Sequence, residues 1–188
     1  MKTLVVAPHP DDETLGAGGA MLRRKSEGGS TAWLIITGIS EELGWTKEKV
    51  EKRDLEIKKV SEIYKFDEVY NLSLPTTKLD TLPVGSMVDK ISKVINSYRP
   101  REIFIPHLGD VHSDHGVVFD AVVSCTKSFR YPFIKRILTY ETISETDFGL
   151  DPSKTFKPNV FVDITDFLES KLKAMRVYSS EMGDFPFP

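Results

Sequence analysis

The sequence predicts an α/β fold: a single Rossmann-like domain with a mostly parallel sheet and helices on both faces. Short apolar runs alternate with longer amphipathic ones, as successive βαβ units require. The early runs Leu4-Val5-Val6 and Leu34-Ile35-Ile36 are apolar at every residue, the pattern of strands buried on both sides. A length of 188 residues suits one domain with its own core, and no linker, repeat or low-complexity tract divides it.

The first strand is read over Thr3–Pro8 and leads into a helix over Leu15–Glu27. Glycines 16, 18 and 19 open that helix at the wrong spacing for a dinucleotide fingerprint, and the acids before them would repel a pyrophosphate; close approach of helix to sheet is the better use. A second strand, Thr31–Thr37, precedes a helix over Lys47–Tyr64, and a third strand covers Glu68–Leu72. Over Val84–Tyr98 the residues Val84, Met87, Val88, Ile91, Val94 and Ile95 recur at helical spacing. The pattern continues with a strand at Glu102–Pro106, a helix at Gly116–Ser128, strands at Ile137–Thr142 and Val160–Asp163, and a last helix at Asp166–Tyr178. Two long loops, Ser73 to Pro83 and Ser144 to Pro158, are of the length that often carries function.

Charge excludes several classes. The 25 Lys and Arg are scattered among 28 Asp and Glu, and no basic stripe exists to bind nucleic acid. Lys47, Lys49, Lys52 and Lys58 interleave with Glu48, Glu51, Asp54 and Glu56, as on a solvated helix face. The single Cys125 allows no internal disulfide and, among Ala121, Val122 and Val123, reads as a buried inert thiol. No signal peptide precedes the first strand, and no apolar stretch approaches the ~20 residues of a membrane span. The expectation is a cytoplasmic protein acting on a small molecule, with assembly into a homo-oligomer left open.

Chemistry concentrates where strands end, the place an open α/β sheet binds its ligands. After the first strand comes Pro8-His9-Pro10-Asp11-Asp12-Glu13. Three consecutive carboxylates raise one another's pKa and destabilise a fold unless a cation joins them. Capping the next helix needs one such residue, not a His and three acids. Pro10 stiffens the turn, so His9 and Asp12 can meet on one ion while Asp11 points elsewhere. After the fourth strand comes His107-Leu108-Gly109-Asp110-Val111-His112-Ser113-Asp114-His115. His112 and His115, three apart, can face the same cleft. His9, Asp12 and His115 make a three-ligand set of the kind a catalytic zinc uses, with a fourth position for water. Asp110 or Asp114 can fix an imidazole tautomer, whereas His107 reads as a structural hydrogen-bonding residue.

These motifs, in this order, resemble the PIG-L/LmbE-like N-deacetylases over nearly the whole chain. Thr37-Gly38, Arg53 in its Glu-rich helix, and the segment from Pro158 to Ile164 add to the likeness. The resemblance implies one zinc ion per chain on His9, Asp12 and His115. It implies Asp11 as general base toward the attacking water, a protonated His112 steadying the oxyanion, and Arg53 reaching the substrate. That substrate would be an N-acetylated amino sugar, free or attached to a lipid, a thiol-bearing aglycone or an antibiotic core. Zinc chemistry and a positioned carboxylate suit amide hydrolysis on general grounds too.

Two features depart from the family pattern. Leu74-Pro75-Thr76-Thr77 lacks the acidic residue that many relatives carry there, and the chain ends at Phe185-Pro186-Phe187-Pro188 where relatives typically continue. A short or shortened member is therefore expected, with a different rim to the sugar pocket. The late aromatics Tyr131, Tyr140 and Phe148 either stack on a sugar or belong to the core. Two rival readings remain: a zinc amidase for a non-sugar acyl amine, and a non-catalytic Rossmann-like binding module. The second predicts a missing ligand or base, yet every expected position is filled.

Overall fold

Alternate residues of the first strand face two different cores. In β1 (Lys2–Ala7), Leu4 and Val6 point to one side and Val5 and Ala7 to the other, all fully buried. The neighbouring β2 (Ser30–Gly38) repeats this, with Leu34 and Ile36 opposite Trp33 and Ile35. Each such aliphatic side chain contributes about 1.5–3 kcal/mol when taken fully out of water. Together with β3 (Glu68–Pro75), β4 (Glu102–Pro106) and β5 (Arg136–Tyr140) they form one parallel sheet in the order β3-β2-β1-β4-β5. The computed structural model describes residues 1–182, so the Phe185-Pro186-Phe187-Pro188 end lies outside the described residues.

Helices cover both faces, as expected. Met87, Ile91, Val94 and Ile95 of α3 (Val84–Tyr98) and Val118, Ala121 and Val122 of α4 (Ser113–Ser124) fill one core. The other takes Ala20 and Met21 of α1 (Gly18–Ser26), Val60 and Tyr64 of α2 (Lys47–Tyr64) and Ala174 of α5 (Leu168–Met175). The bounds of α2 and α3 coincide with the expected ones because local chemistry fixes their ends. Thr46 caps α2 by accepting from the Lys49 amide at 3.4 Å, and Lys65 and Arg99 close α2 and α3 in the left-handed region. Cys125 is buried, and burial pushes its thiol up to about 11, so it is inert as read.

Three expectations need correction. Val160–Asp163 is not a strand. Val160 and Phe161 are exposed, and the segment lies as a loop with Val162 packed against the second core and Ile164 against Gly19. The fourth helix begins at Ser113, three residues before Gly116, because the His112 side chain caps it, and it ends at Ser124, not Ser128. The last helix is shorter than Asp166–Tyr178, with a 3-10 turn at Thr165–Phe167 before α5. No helix among the described residues is long and apolar enough to cross a membrane.

The glycines at the start of this helical segment do allow close approach, Gly16 to β5 and Gly19 to the loop at Ile164. A Cβ on Gly16 would enter the Tyr140 ring at the end of β5, and one on Gly19 would meet Ile164 Cγ2 at 2.6 Å. The first turn of this helix is also wide, Glu13–Ala17 forming a π-turn, as happens at functional sites.

Candidate metal centre

Strand order reverses at β1, whose neighbours are β2 on one side and β4 on the other. The crevice beyond the carboxyl ends of β1 and β4 is therefore the expected ligand position, and both His-rich segments emerge there. Thr37, at the end of β2, holds the first of them: its amide and hydroxyl both donate to the Pro8 carbonyl, at 3.0 and 2.7 Å.

His9, Asp12 and His115 come together, with one donor atom from each lying within 4.8 Å of the others. The Asp12 carboxylate is the hub. Its Oδ2 accepts from the His9 amide at 2.8 Å and sits 3.4 Å from His9 Nδ1 and 3.3 Å from His115 Nε2. Each ring is aimed from behind by a second carboxylate. His115 Nδ1–H donates to Asp110 at 2.8 Å, and His9 Nε2–H donates to Asp114 at 3.1 Å. Asp110 is itself fixed by the Thr146 hydroxyl at 2.6 Å, and Asp114 by the Thr77 and Leu79 amides at 2.8 and 3.2 Å. Sequence alone left open which aspartate supports an imidazole; both do.

This donor set fits a divalent cation. With its Nδ1 committed to Asp110, His115 presents a buried Nε2 that makes no hydrogen bond and faces Asp12. A buried polar atom without a partner is costly, and two imidazole nitrogens with a carboxylate oxygen are zinc-type ligands. The local potential agrees. Burial alone would lower the two histidines, but Asp114 and Asp12 lift His9 to about 9, and Asp12 and Asp110 lift His115 to about 10. A field that holds protons this firmly also holds a cation. For Asp12, burial works against the charged form, yet His115 and His9 keep the carboxyl below its usual range.

Asp11 lies outside the His9–Asp12–His115 group, whereas His112 forms a second one with His9 and Asp114, whose donor atoms also lie within 4.8 Å of one another. Asp11 has φ 146, in the region that favours glycine, and Glu13 Oε2 fixes its amide at 3.0 Å. Burial, then the charges of Asp12 and Glu13, push its carboxyl well above the usual range. Neither Asp11 nor Asp12 makes a side-chain cap to the following helix. The His112 ring centroid is 4.4 Å from that of His9. Its Nδ1 accepts from the Asp114 amide at 3.1 Å, which leaves the ring proton on Nε2. Burial and the neighbouring His9 lower its pKa, which favours the neutral ring.

His9, Asp11, Asp12 and His112 line a cavity of about 410 Å³, which also takes in Arg53, Trp45 and Thr76. Arg53 is part of the wall, its guanidinium donating to the Pro10 carbonyl at 2.9 Å and to Glu181. His107 is elsewhere, bonded to the Lys154 carbonyl at 2.6 Å. Tyr131 and Tyr140 are core residues and Phe148 is exposed; Trp45, Ile39 and Ile143 are the cavity's apolar wall instead. Glu13 was read only as an acid of the motif. It is wholly buried, accepts from the Tyr178 and Thr14 hydroxyls at 2.8 and 2.6 Å, and braces the Asp11 backbone. No local signal in the sequence marks this contact, which spans 165 residues.

A parallel sheet carrying a His–Asp–His group at its switch point defines a metal-site α/β protein. Comparison with known proteins makes that class specific. The PIG-L family, described as GlcNAc-PI de-N-acetylase, matches residues 4–126, and the chain belongs to this family of N-deacetylases, which are hydrolases. It is 29% identical to the diacetylchitobiose deacetylase of Thermococcus kodakarensis, over 97% of this chain and 71% of that one. It is 26% identical to a probable N-acetyl-alpha-D-glucosaminyl L-malate deacetylase of Bacillus cereus, over 95% and 82% of the two chains. A solved structure of a conserved protein from Thermus thermophilus superposes with a TM-score of 0.77 at 31% identity, covering 95% of this chain and 79% of that one.

Proposed function

We propose that this chain is a zinc-dependent deacetylase that hydrolyses the acetamide of an N-acetylated amino sugar or its conjugate. The observation that carries this is the convergence of His9, Asp12 and His115 within 4.8 Å of one another at the edge of a cavity that Asp11 and His112 also line. The named relatives are a diacetylchitobiose deacetylase and a probable N-acetyl-alpha-D-glucosaminyl L-malate deacetylase, and this supports a sugar acceptor.

His9, Asp12 and His115 would hold the ion. An ion held there polarises the amide carbonyl and lowers the pKa of water toward ~7. Asp11 accepts a proton from the attacking water and returns it to the departing nitrogen, so water and amide become acetate and amine. Its raised pKa suits both halves of that task. His112 donates its Nε2–H to the oxygen on which charge develops, a contribution commonly worth ~3–4 kcal/mol. It does so as a neutral ring, in place of the imidazolium that the resemblance implies. Asp110 and Asp114 aim the rings, and Arg53 shapes the substrate wall.

Acetate release tests this reading. Purified protein should deacetylate N-acetylglucosamine or its dimer faster than simple acetamides, lose activity to a chelator and regain it with zinc. Equal rates on simple acetamides would instead favour a general amidase.

A further inference from the structure

Among the described residues lining the cavity, Arg53 is the one Lys or Arg, against Asp11, Asp12, Glu145 and Glu181. Its guanidinium is already engaged. Nη1 donates to the Pro10 carbonyl at 2.9 Å, Nη2 to Ser180 Oγ at 3.0 Å and to the Glu181 carboxylate, and Nε lies 3.5 Å from Glu56 Oε2. The side chains of Arg53 and Glu181 are 18% and 37% exposed, so the pair is at the wall of the cavity and not out in solvent. No second Lys or Arg among the described lining residues stands beside Arg53 to receive an anion in its place.

We propose that Glu181 makes this cavity selective for uncharged N-acetyl amino sugars over those bearing a phosphate or carboxylate, by occupying the guanidinium such an anion would seek. This rests on the deacetylase reading above. An anionic substituent reaching Arg53 must displace Glu181 and then lie beside the released carboxylate, and like charges brought together oppose binding. A sugar hydroxyl meets no such opposition: it donates to Glu181 where that carboxylate already stands. The rest of the wall suits a neutral ring, since Trp45, Ile39 and Ile143 offer apolar surface to its C–H face.

The test compares N,N'-diacetylchitobiose with N-acetylglucosamine 6-phosphate on the zinc-loaded parent, Glu181→Gln, and the Glu181→Gln, Arg53→Ala pair. The parent should prefer the neutral sugar in kcat/KM. Glu181→Gln should shift that ratio toward the phosphate by about 5- to 10-fold, through KM, and removing Arg53 as well should cancel the shift. An unchanged ratio in Glu181→Gln, or a parent that prefers the phosphate, would overturn the proposal. If the parent deacetylates neither sugar the deacetylase reading fails, and calorimetric binding of the two sugars then decides this one by the same ratio.

Discussion

His115 Nδ1 lies 2.8 Å from Asp110 Oδ2, while the opposite nitrogen of the same ring faces Asp12 at 3.3 Å with no hydrogen bond. One imidazole is thus held at one end and open at the other, the arrangement by which a carboxylate sets a metal ligand's tautomer. His115→Ala should therefore lose most bound zinc in elemental analysis. Asp110→Asn should keep the fold and weaken zinc affinity by about 10- to 100-fold. Full zinc occupancy in His115→Ala would remove this residue from the ligand set.

Arg53 couples two parts of the wall, Pro10 in the metal-site turn and the Ser180-Glu181 pair. A fork with fixed donors can do this, and an ammonium cannot. Arg53→Lys should be nearly as damaging as Arg53→Ala, each lowering kcat/KM by ~10-fold or more, for a charge-assisted contact worth ~1.5–3 kcal/mol. Zinc content should stay near the parent's. Parent-like kinetics in Arg53→Ala would return this residue to the solvated face of α2.

Gly16 sits where any side chain would enter the Tyr140 ring, and Tyr140 is pinned by its hydroxyl to the Val6 carbonyl at 2.8 Å. Gly16→Ala should destabilise the protein by about 1–3 kcal/mol, the usual scale for overpacking. Thermal unfolding reads this directly, and an unchanged melting temperature would mean that the ring moves aside freely.

Glu13 gives a pH signature. Burial raises this carboxyl from 4.5 to about 7 in the folded chain. A group whose pKa rises on folding opposes the folded state once it must ionise, so its penalty grows from about pH 4.5 to about 7 and is constant above. In zinc-free protein, Glu13→Gln should gain melting temperature relative to the parent across that window and then level off. A difference that does not change with pH would contradict this assignment.

Much of this was legible in the chain because the signals were local. The all-apolar run of β1, the periodicity of α3 and the cap at Thr46 each lie within one element. The meeting of His9, Asp12 and His115 was legible too, since residue types at two strand ends restrict what can meet there. Val160–Asp163 misled because a loop with Val162 inward and its neighbours outward shows the same alternation as a strand, and only a ladder partner distinguishes them. The brace of Glu13 by Tyr178 and the capture of Arg53 by Glu181 join residues 165 and 128 apart, and nothing local announces either contact. His112 was read for its chemistry and missed as a helix cap, although the same Nδ1 contact that starts α4 also sets its tautomer.

Asp11 is held at φ 146, its amide bound by Glu13, beside the His9–Asp12–His115 group it does not join. An asparagine there is close to isosteric but cannot take a proton. Zinc content and acetate release measured together on Asp11→Asn are the most direct test. Zinc should stay parent-like while turnover falls by about 10²–10⁴-fold, the scale of a general base. Parent-like turnover, or loss of zinc along with activity, would contradict it.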